Sequence, residues 1–184
     1  MSRKYKFRDN DKLYFVSFAT VYWIDVFIRD EYRHLLLDSL RHCQEKKGLE
    51  VYAWCLMTSH VHLIIGSQGE KMQDILRDFK SFTSRQMRQA IQEHPQESRR
   101  EWMLWMMERA GRKNSNNQKS GFQFWQQHNQ PIELFSNHVM QQKLDYVHRN
   151  PVEAGFVSAP EDYVYSSARD YAGEKGLLDI ILIE

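Results

Sequence analysis

Over the first third of the chain, the spacing of hydrophobic and polar residues alternates between that of a β-strand and that of an α-helix. Residues 12–23 are dense in Tyr, Phe, Val and Thr, which predicts a strand buried on both faces. Residues 30–47 carry apolar or small side chains three and four positions apart, and Gly48 follows them, which is typical of a helix with a left-handed cap. Residues 49–57 are again strand-like. This stretch therefore predicts a strand, a helix and a second strand.

A polar pair, Thr58 and Ser59, separates the second predicted strand from a third. The third strand begins at His60, so a short turn joins two neighbouring strands and predicts an antiparallel hairpin. Residues 72–91 then carry apolar side chains at the spacing of an amphipathic helix, with the basic residues mostly off the apolar stripe. We expect this second helix to cover the sheet.

The pattern is weaker in the second half of the chain. Residues 94–122 resemble an insertion, with a short apolar helix around 102–107 and a glycine-, asparagine- and lysine-containing mobile loop at 111–121. Residues 122–125 are a candidate strand. A later helix begins at Ser136 or Asn137 and is expected to stop before Pro151. The apolar tail at 177–183 is compatible with an edge strand or with binding to a partner.

Strand, helix, hairpin, helix and a later strand are the order of a ferredoxin-like split βαβ fold. We therefore expect an α+β protein with an antiparallel sheet, helices packed on one face and the other face open. The length of 184 residues indicates a single domain, 1–184, with the insertion at about 94–122.

Composition limits the class of protein. No stretch of 18 apolar residues occurs, and the first residues lead into charge rather than an apolar signal, so we expect a cytoplasmic protein without a membrane span. The two cysteines, Cys43 and Cys55, indicate reduced core thiols. A net charge of +1 argues against coating of polyanions along the whole surface. A local basic groove remains compatible with it, and a solvated helix face is the simpler alternative.

His60 and His62 are the first candidate site. Successive side chains of a strand point to opposite faces, so these two imidazoles share one face with Ile64. A divalent ion could bridge them, although two of the eight histidines could also have this spacing by accident. Two imidazoles leave most of a coordination sphere empty, and Mg²⁺ or Mn²⁺ would fill it with oxygen ligands, water and a substrate phosphate.

Tyr146 and Asn150 are the second candidate pair. They lie four positions apart on the last long predicted helix and therefore on one helix face, so an amide oxygen and a phenol could both face the sheet. The alternative is ordinary structure, with Tyr146 half-buried against the sheet and Asn150 capping the helix before Pro151. His148 is a further candidate, as a base, but its helical phase differs from that of Tyr146.

The run MTSHVHLI at residues 57–64 and the run LDYVHRNPVEAGFV at residues 144–157 together resemble the REP-associated tyrosine transposases. These are HUH single-strand DNA nucleases related to small insertion-sequence transposases. The similarity spans nearly the whole chain, and the second motif matches in order and spacing. One departure is Thr58-Ser59, where many relatives have Pro-Asn before the histidines.

The resemblance implies a role for each candidate residue. His60, His62 and Asn150 match the metal ligands, for Mg²⁺ or Mn²⁺, and Tyr146 matches the nucleophile that forms a 5′-phosphotyrosine and frees a 3′-hydroxyl. The implied substrate is hairpin-containing or single-stranded DNA. Lys80, Arg85 and Arg88 are candidate phosphate contacts that no motif fixes. Relatives differ in oligomeric state, so a homodimer in which Tyr146 serves its partner's histidines stays open.

Three other functions stay open at this point. The protein could be a domesticated, noncatalytic nucleic-acid-binding module of the same fold. It could be a metal-dependent hydrolase that uses the histidines and a water without a covalent step. It could also be a purely structural ferredoxin-like domain, in which Tyr146 and the histidines would be too far apart to meet.

Overall fold

The computed structural model describes residues 7, 9, 11–115, 120–127 and 131–183. Within them, four strands form one antiparallel sheet: β1 (Tyr14–Ala19), β2 (Leu49–Leu56), β3 (His60–Ser67) and β4 (Ile132–Glu133). The helices are α1 (Asp30–Lys47), α2 (Met72–Glu93), α3 (Arg100–Lys113), α4 (Asn137–Glu153) and α5 (Ala168–Tyr171), with 3-10 turns at Val21–Trp23 and Pro160–Asp162.

The strands are ordered β2-β3-β1-β4 across the sheet, with β3 and β1 in the centre. This order and the order of elements along the chain are those of the ferredoxin-like split βαβ fold, so the predicted α+β fold is confirmed. In the β1–β3 register Ser17 lies opposite His62, and in the β2–β3 register Cys55 lies opposite His62. The candidate ligand His62 therefore lies on a strand that has a neighbouring strand on each side.

One face of the sheet packs against α1 and α2. Alternate residues of the three longer strands point to this face, among them Val16, Trp54 and Leu63, and all are fully buried. Leu40 of α1 and Ile75 of α2 belong to the same core. Each such side chain stabilises the fold by roughly 1.5–3 kcal/mol on burial.

The second face of the sheet is covered by α4, which corrects the expectation of helices on one face and an open second face. Leu144 and Val147 of α4 form a core with Ala53 and Ile64 of the sheet. The reason lies in the strands themselves, which are apolar on both faces, as in a sheet buried on both sides.

The first and last predicted strands also differ from the structure. Residues 12–23 do not form one strand, because β1 ends at Ala19 and the chain turns at Val21–Trp23. Residues 122–125 do not form a strand, since only Trp125 pairs, in an isolated bridge to Thr20. The fourth strand is instead the two-residue β4, which pairs with Tyr14 and Phe15.

The predicted stop at Pro151 is wrong, because α4 continues to Glu153. Pro151 lies in the last turn, where the missing proline N–H removes a single helical hydrogen bond. The tail at 177–183 forms no strand, although the amide of Ile181 donates to the carbonyl of Val51 at 2.9 Å. Of the predicted loop at 111–121, residues 111–113 complete α3 and residues 116–119 lie outside the described residues. None of the helices in the described ranges combines the length and apolar character needed to cross a bilayer.

A buried ionic cluster connects the end of α2 to the loop before α1. The carboxylate of Glu97 is inaccessible to solvent and accepts hydrogen bonds from Arg29 Nε at 2.9 Å and Arg99 Nε at 3.1 Å. Arg99 also donates to the carbonyl of Asp25 at 2.7 Å. Burial raises the pKa of Glu97, but the hydrogen bonds from Arg99 and Arg29 outweigh burial and bring the pKa down to about 2. The cluster therefore stabilises the loop that precedes α1.

We expect Glu97→Gln to lower the free energy of unfolding at pH 7 by about 3 kcal/mol, because a carboxyl pKa held near 2 instead of 4.5 represents that much charge-dependent stability. The contribution is complete above the unfolded-state pKa of 4.5 and is lost as pH falls toward 2. Urea unfolding of both proteins at pH 7 and at pH 3 measures it, and the difference should shrink at pH 3.

Glu101→Gln is the matched control, since Glu101 is exposed in the first turn of α3. It should change the unfolding free energy by less than about 0.5 kcal/mol. A loss for Glu97→Gln that is equal at both pH values would contradict the ionic origin of the stability.

Candidate functional site

His60 and His62 lie at the start of β3 and point to the face that α4 covers. Their ring centroids are 4.7 Å apart. His62 is 4% exposed, and Phe15 of β1 stacks on its ring at 5.6 Å. The shared face follows from the alternation of a strand, so the predicted pair of imidazoles is present in the structure.

Helix α4 brings Asn150 and Tyr146 to the same place. Asn150 Nδ2 lies 3.4 Å from His62 Nε2, and the ring centroid of Tyr146 lies 5.1 Å from that of His62. One helical turn separates the two residues, while Leu144 and Val147 hold the helix on the sheet. The structure thus brings all four predicted residues together within one chain.

The helix begins at a defined point. Ser136 is the N-cap, and its side chain accepts a hydrogen bond from the amide of Val139 at 3.3 Å. A fixed start sets the rotation of the helix, and therefore which side chains one to four turns later point toward β3.

Burial keeps both imidazoles neutral. Burial lowers the pKa of His60, while a hydrogen bond with Asn150 and the nearby Asp25 carboxylate oppose that shift. Burial also lowers the pKa of His62, to about 3, and the neighbouring His60 and Lys143 add to the effect. Neutral imidazole has the free nitrogen lone pair that a metal requires.

The donor set fits a divalent cation. Nδ1 of His62 is buried and has no hydrogen-bond partner among the described residues. Within the part of the chain that the structure describes, no group of three or more His, Cys, Asp or Glu side chains could hold a metal ion. The site therefore offers one imidazole nitrogen from each histidine and the side-chain amide of Asn150. Rotation of this amide by half a turn would direct its oxygen, instead of its nitrogen, toward His62. Such a set leaves positions for water and phosphate oxygens, as Mg²⁺ and Mn²⁺ prefer.

Tyr146 is positioned for access from solvent. Its side chain is 42% exposed, and its ring meets the edge of Phe15 at 5.8 Å. The Lys143 ammonium lies 5.5 Å from the centroid of the Tyr146 ring. The sequence analysis missed Lys143, although its position three residues before Tyr146 on a helix is a signal that could have found it.

His148 has a structural role and does not join the site. Its Nε2 lies 2.9 Å from Ser167 Oγ, and its ring packs on Tyr171 at 4.9 Å. Burial lowers the pKa of His148 to about 4. These contacts place it between α4 and the C-terminal segment, in agreement with its different helical phase.

The three candidate phosphate contacts lie on α2 in different surroundings. The Lys80 ammonium donates to the carbonyl of Gln126 at 3.2 Å, and burial lowers its pKa to about 8. Arg88 pairs with Glu108 at 3.3 Å. Arg85 is exposed. Of the three, Arg85 is the most accessible to a phosphate.

A second aromatic side chain at the site, Trp23, was also missed by the sequence analysis. Its ring meets the edge of the His60 ring at 5.3 Å and is 57% exposed. Behind His60, the Ser59 hydroxyl lies 3.2 Å from Nδ1, and Thr58 donates to Asp25 Oδ1 at 2.6 Å. The turn Thr58-Ser59 thus orients His60 through side-chain contacts.

A solved structure of a known protein has a similar fold. The protein is similar over 98% of its length, and 94% of the other chain, to the structure of a REP-associated tyrosine transposase bound to a REP hairpin, with a TM-score of 0.66 and 16% identity. It is also similar to a protein of Deinococcus radiodurans R1 described as a transposase, with a TM-score of 0.46 and 21% identity over 80% of this chain and 94% of that one.

Comparison with curated proteins gave no match. The sequence model of the family "Transposase IS200 like" matches residues 13–109, which is just over half of the 184 residues and includes both histidines. The protein therefore belongs to the IS200-like transposase family.

Proposed function

We propose that this protein nicks and rejoins single-stranded DNA through a covalent bond to Tyr146, with a divalent cation held by His60, His62 and Asn150. The observation that carries the proposal is the meeting of Tyr146 and Asn150 of α4 with the two histidines of β3. These elements come from distant parts of the chain, and membership of a transposase family supports a reaction on DNA.

The cation would be Mg²⁺ or Mn²⁺, and when bound it supplies positive charge to the nonbridging oxygens of the scissile phosphate. His60, His62 and Asn150 would hold that cation next to Tyr146, where it can orient the phosphate. The buried imidazoles stay neutral and available as ligands at pH 7. Holding the phosphate in line with the attacking oxygen contributes to the rate through orientation.

The Tyr146 oxygen attacks phosphorus, the bond to the 3′-oxygen breaks, and a 5′-phosphotyrosine and a 3′-hydroxyl result. The phenol gives up its proton to solvent, and the departing 3′-oxygen takes one up. A phenol is a weak nucleophile at neutral pH, so negative charge that develops on the attacking oxygen needs positive charge nearby. We propose that the Lys143 ammonium, 5.5 Å from the centroid of the Tyr146 ring, supplies part of that charge. The phosphodiester count is unchanged, so the 3′-hydroxyl of a strand can reverse the step.

The substrate we propose is DNA that contains a hairpin with a single-stranded flank. A solved structure of the same fold is that of a transposase bound to a REP hairpin. Arg85 is the most accessible of the proposed phosphate contacts, with Lys80 and Arg88 on the same helix. We propose that the whole chain acts as one domain. A homodimer is not needed to complete the site, since all four residues meet within one polypeptide.

The alternatives make different use of the same residues. A noncatalytic DNA-binding module would not require an accessible phenol beside the histidines, and a structural domain would not require the four residues to meet. A hydrolase that uses water would cut DNA without Tyr146. The covalent step separates these functions from the proposed one.

We expect Tyr146→Phe to abolish covalent protein–DNA adducts while leaving DNA binding within about threefold, because only the phenolic oxygen is lost. Wild type and variant are incubated with Mn²⁺ and single-stranded DNA from the flanks of the protein's own gene, and adducts are separated on a denaturing gel. Tyr22→Phe is the matched control, since Tyr22 has a similar exposure of 47%, and it should form adducts like wild type. Adducts that persist in Tyr146→Phe would reject this nucleophile.

We also expect His62→Gln and Asn150→Ala each to weaken Mn²⁺ binding by at least about 10-fold, since loss of groups that hold or orient a metal commonly costs 10- to 100-fold. Isothermal titration calorimetry with Mn²⁺ alone measures the affinity. His138→Ala, an exposed histidine in the first turn of α4, is the control and should bind like wild type. Equal affinity in all variants would place the metal elsewhere.

A further inference from the structure

Tyr22 and Trp23 have an unusual backbone conformation beside the metal-binding face. Both have φ of 55°, and they are the only non-glycine residues with positive φ in the described part of the chain. Side chains with a Cβ rarely adopt this left-handed conformation, which persists where surrounding structure enforces it and occurs often at ligand-binding sites.

The surroundings enforce it from both ends. Val21 and Ile24 flank the pair and are buried. The amide of Val21 donates to the carbonyl of Phe124 at 2.8 Å, and the buried hydroxyl of Thr20 donates to the carbonyl of Ile24 at 2.8 Å. With both flanks turned inward, the left-handed pair presents two aromatic rings to solvent.

Trp23 is the ring that faces the site. It is 57% exposed, and its centroid is 5.3 Å from that of His60. A large aromatic surface left in water is unfavourable unless something covers it, and the exposed indole lies directly beside the position at which the proposed function holds a phosphate. A group stacked on the indole would therefore belong to the nucleotide next to that phosphate.

The chemistry of the indole points to a base rather than a phosphate. Its face is apolar and uncharged, so it can stack on the face of a base, whereas phosphate contacts come from cationic side chains or hydrogen-bond donors. We infer that Trp23 is a stacking platform for an unpaired base of the DNA strand, directly next to the phosphate held at His60, and this inference rests on the proposed function.

The test measures coupling between the side chain and one base. Every protein carries Tyr146→Phe, and metal is omitted, so no cleavage intervenes. The probe is single-stranded DNA from the flank of the protein's own gene, with an abasic site placed at each position in turn. Base–aromatic stacking is sequence-tolerant and strong enough that we expect Trp23→Ala to weaken binding about 10-fold.

At one position, removal of the base should weaken binding to the protein that retains Trp23 by about as much as Trp23→Ala does. The same abasic DNA should bind Trp23→Ala no more weakly than intact DNA does. Trp23→Phe retains a ring and should keep most of the affinity and the coupling. Trp105→Ala removes the same type of side chain, at 55% exposure on α3, and should leave the coupling intact. A 2-aminopurine at the coupled position should lose fluorescence on binding only where an aromatic ring is present at residue 23.

Two results would overturn the inference. One is an equal loss at every abasic position with and without Trp23, which would mean that the indole contacts no base. The other is a loss of Mn²⁺ affinity in Trp23→Ala, measured by calorimetry in a separate titration without DNA, together with no coupling to any base. It would make Trp23 only a support for His60. Adduct formation by the unmodified protein tests the proposed function separately, so failure of either one can be recognised.

Discussion

The docking of α4 on the second face of the sheet is the contact on which the site depends. Leu144 and Val147 are buried against the sheet, and the same helix carries Tyr146 and Asn150 toward the histidines of β3. The apolar residues and the candidate site residues alternate along one helix. The packing of this helix on the sheet therefore also brings the candidate site residues together. A change that loosens this contact would separate the proposed nucleophile from the proposed ligands even if all four side chains were kept.

The two sides of the site differ in freedom. His62 lies on a central strand, paired with Ser17 and Cys55 on either side, and is almost fully buried. Tyr146 lies on a surface helix with much of its ring in solvent. Under the proposed function, rigid side chains suit residues that would hold a cation, whereas an accessible phenol suits a residue that would carry a DNA strand. Burial serves a second purpose, since it keeps the imidazoles uncharged.

The spacing of apolar residues within short windows of sequence predicted the longer helices and strands. The bounds of α1, the hairpin and the fold order agree with the structure because helix and strand spacing are local signals. The two-residue strand β4 is too short to show alternation and forms by pairing with β1. The aromatic residues Phe122, Phe124 and Trp125 pack in the core, and of them only Trp125 pairs, in an isolated bridge to Thr20. The four residues of the proposed site were singled out by spacing and resemblance, and the structure brings them together. Trp23 was missed because its position comes from a backbone turn fixed by distant residues.

Both edges of the sheet are occupied or short. Along β2, the amide of Ile181 donates to Val51 and that of Leu56 donates to Tyr165, so the C-terminal segment covers this edge. In the described part of the chain, the strand at the opposite edge is the two-residue β4, Ile132–Glu133. Open edges recruit strands from other molecules, whereas covered or very short edges resist it. Self-association by extension of the sheet is therefore disfavoured, which protects a protein with such apolar strands from aggregation and directs any pairing of copies to helices and loops.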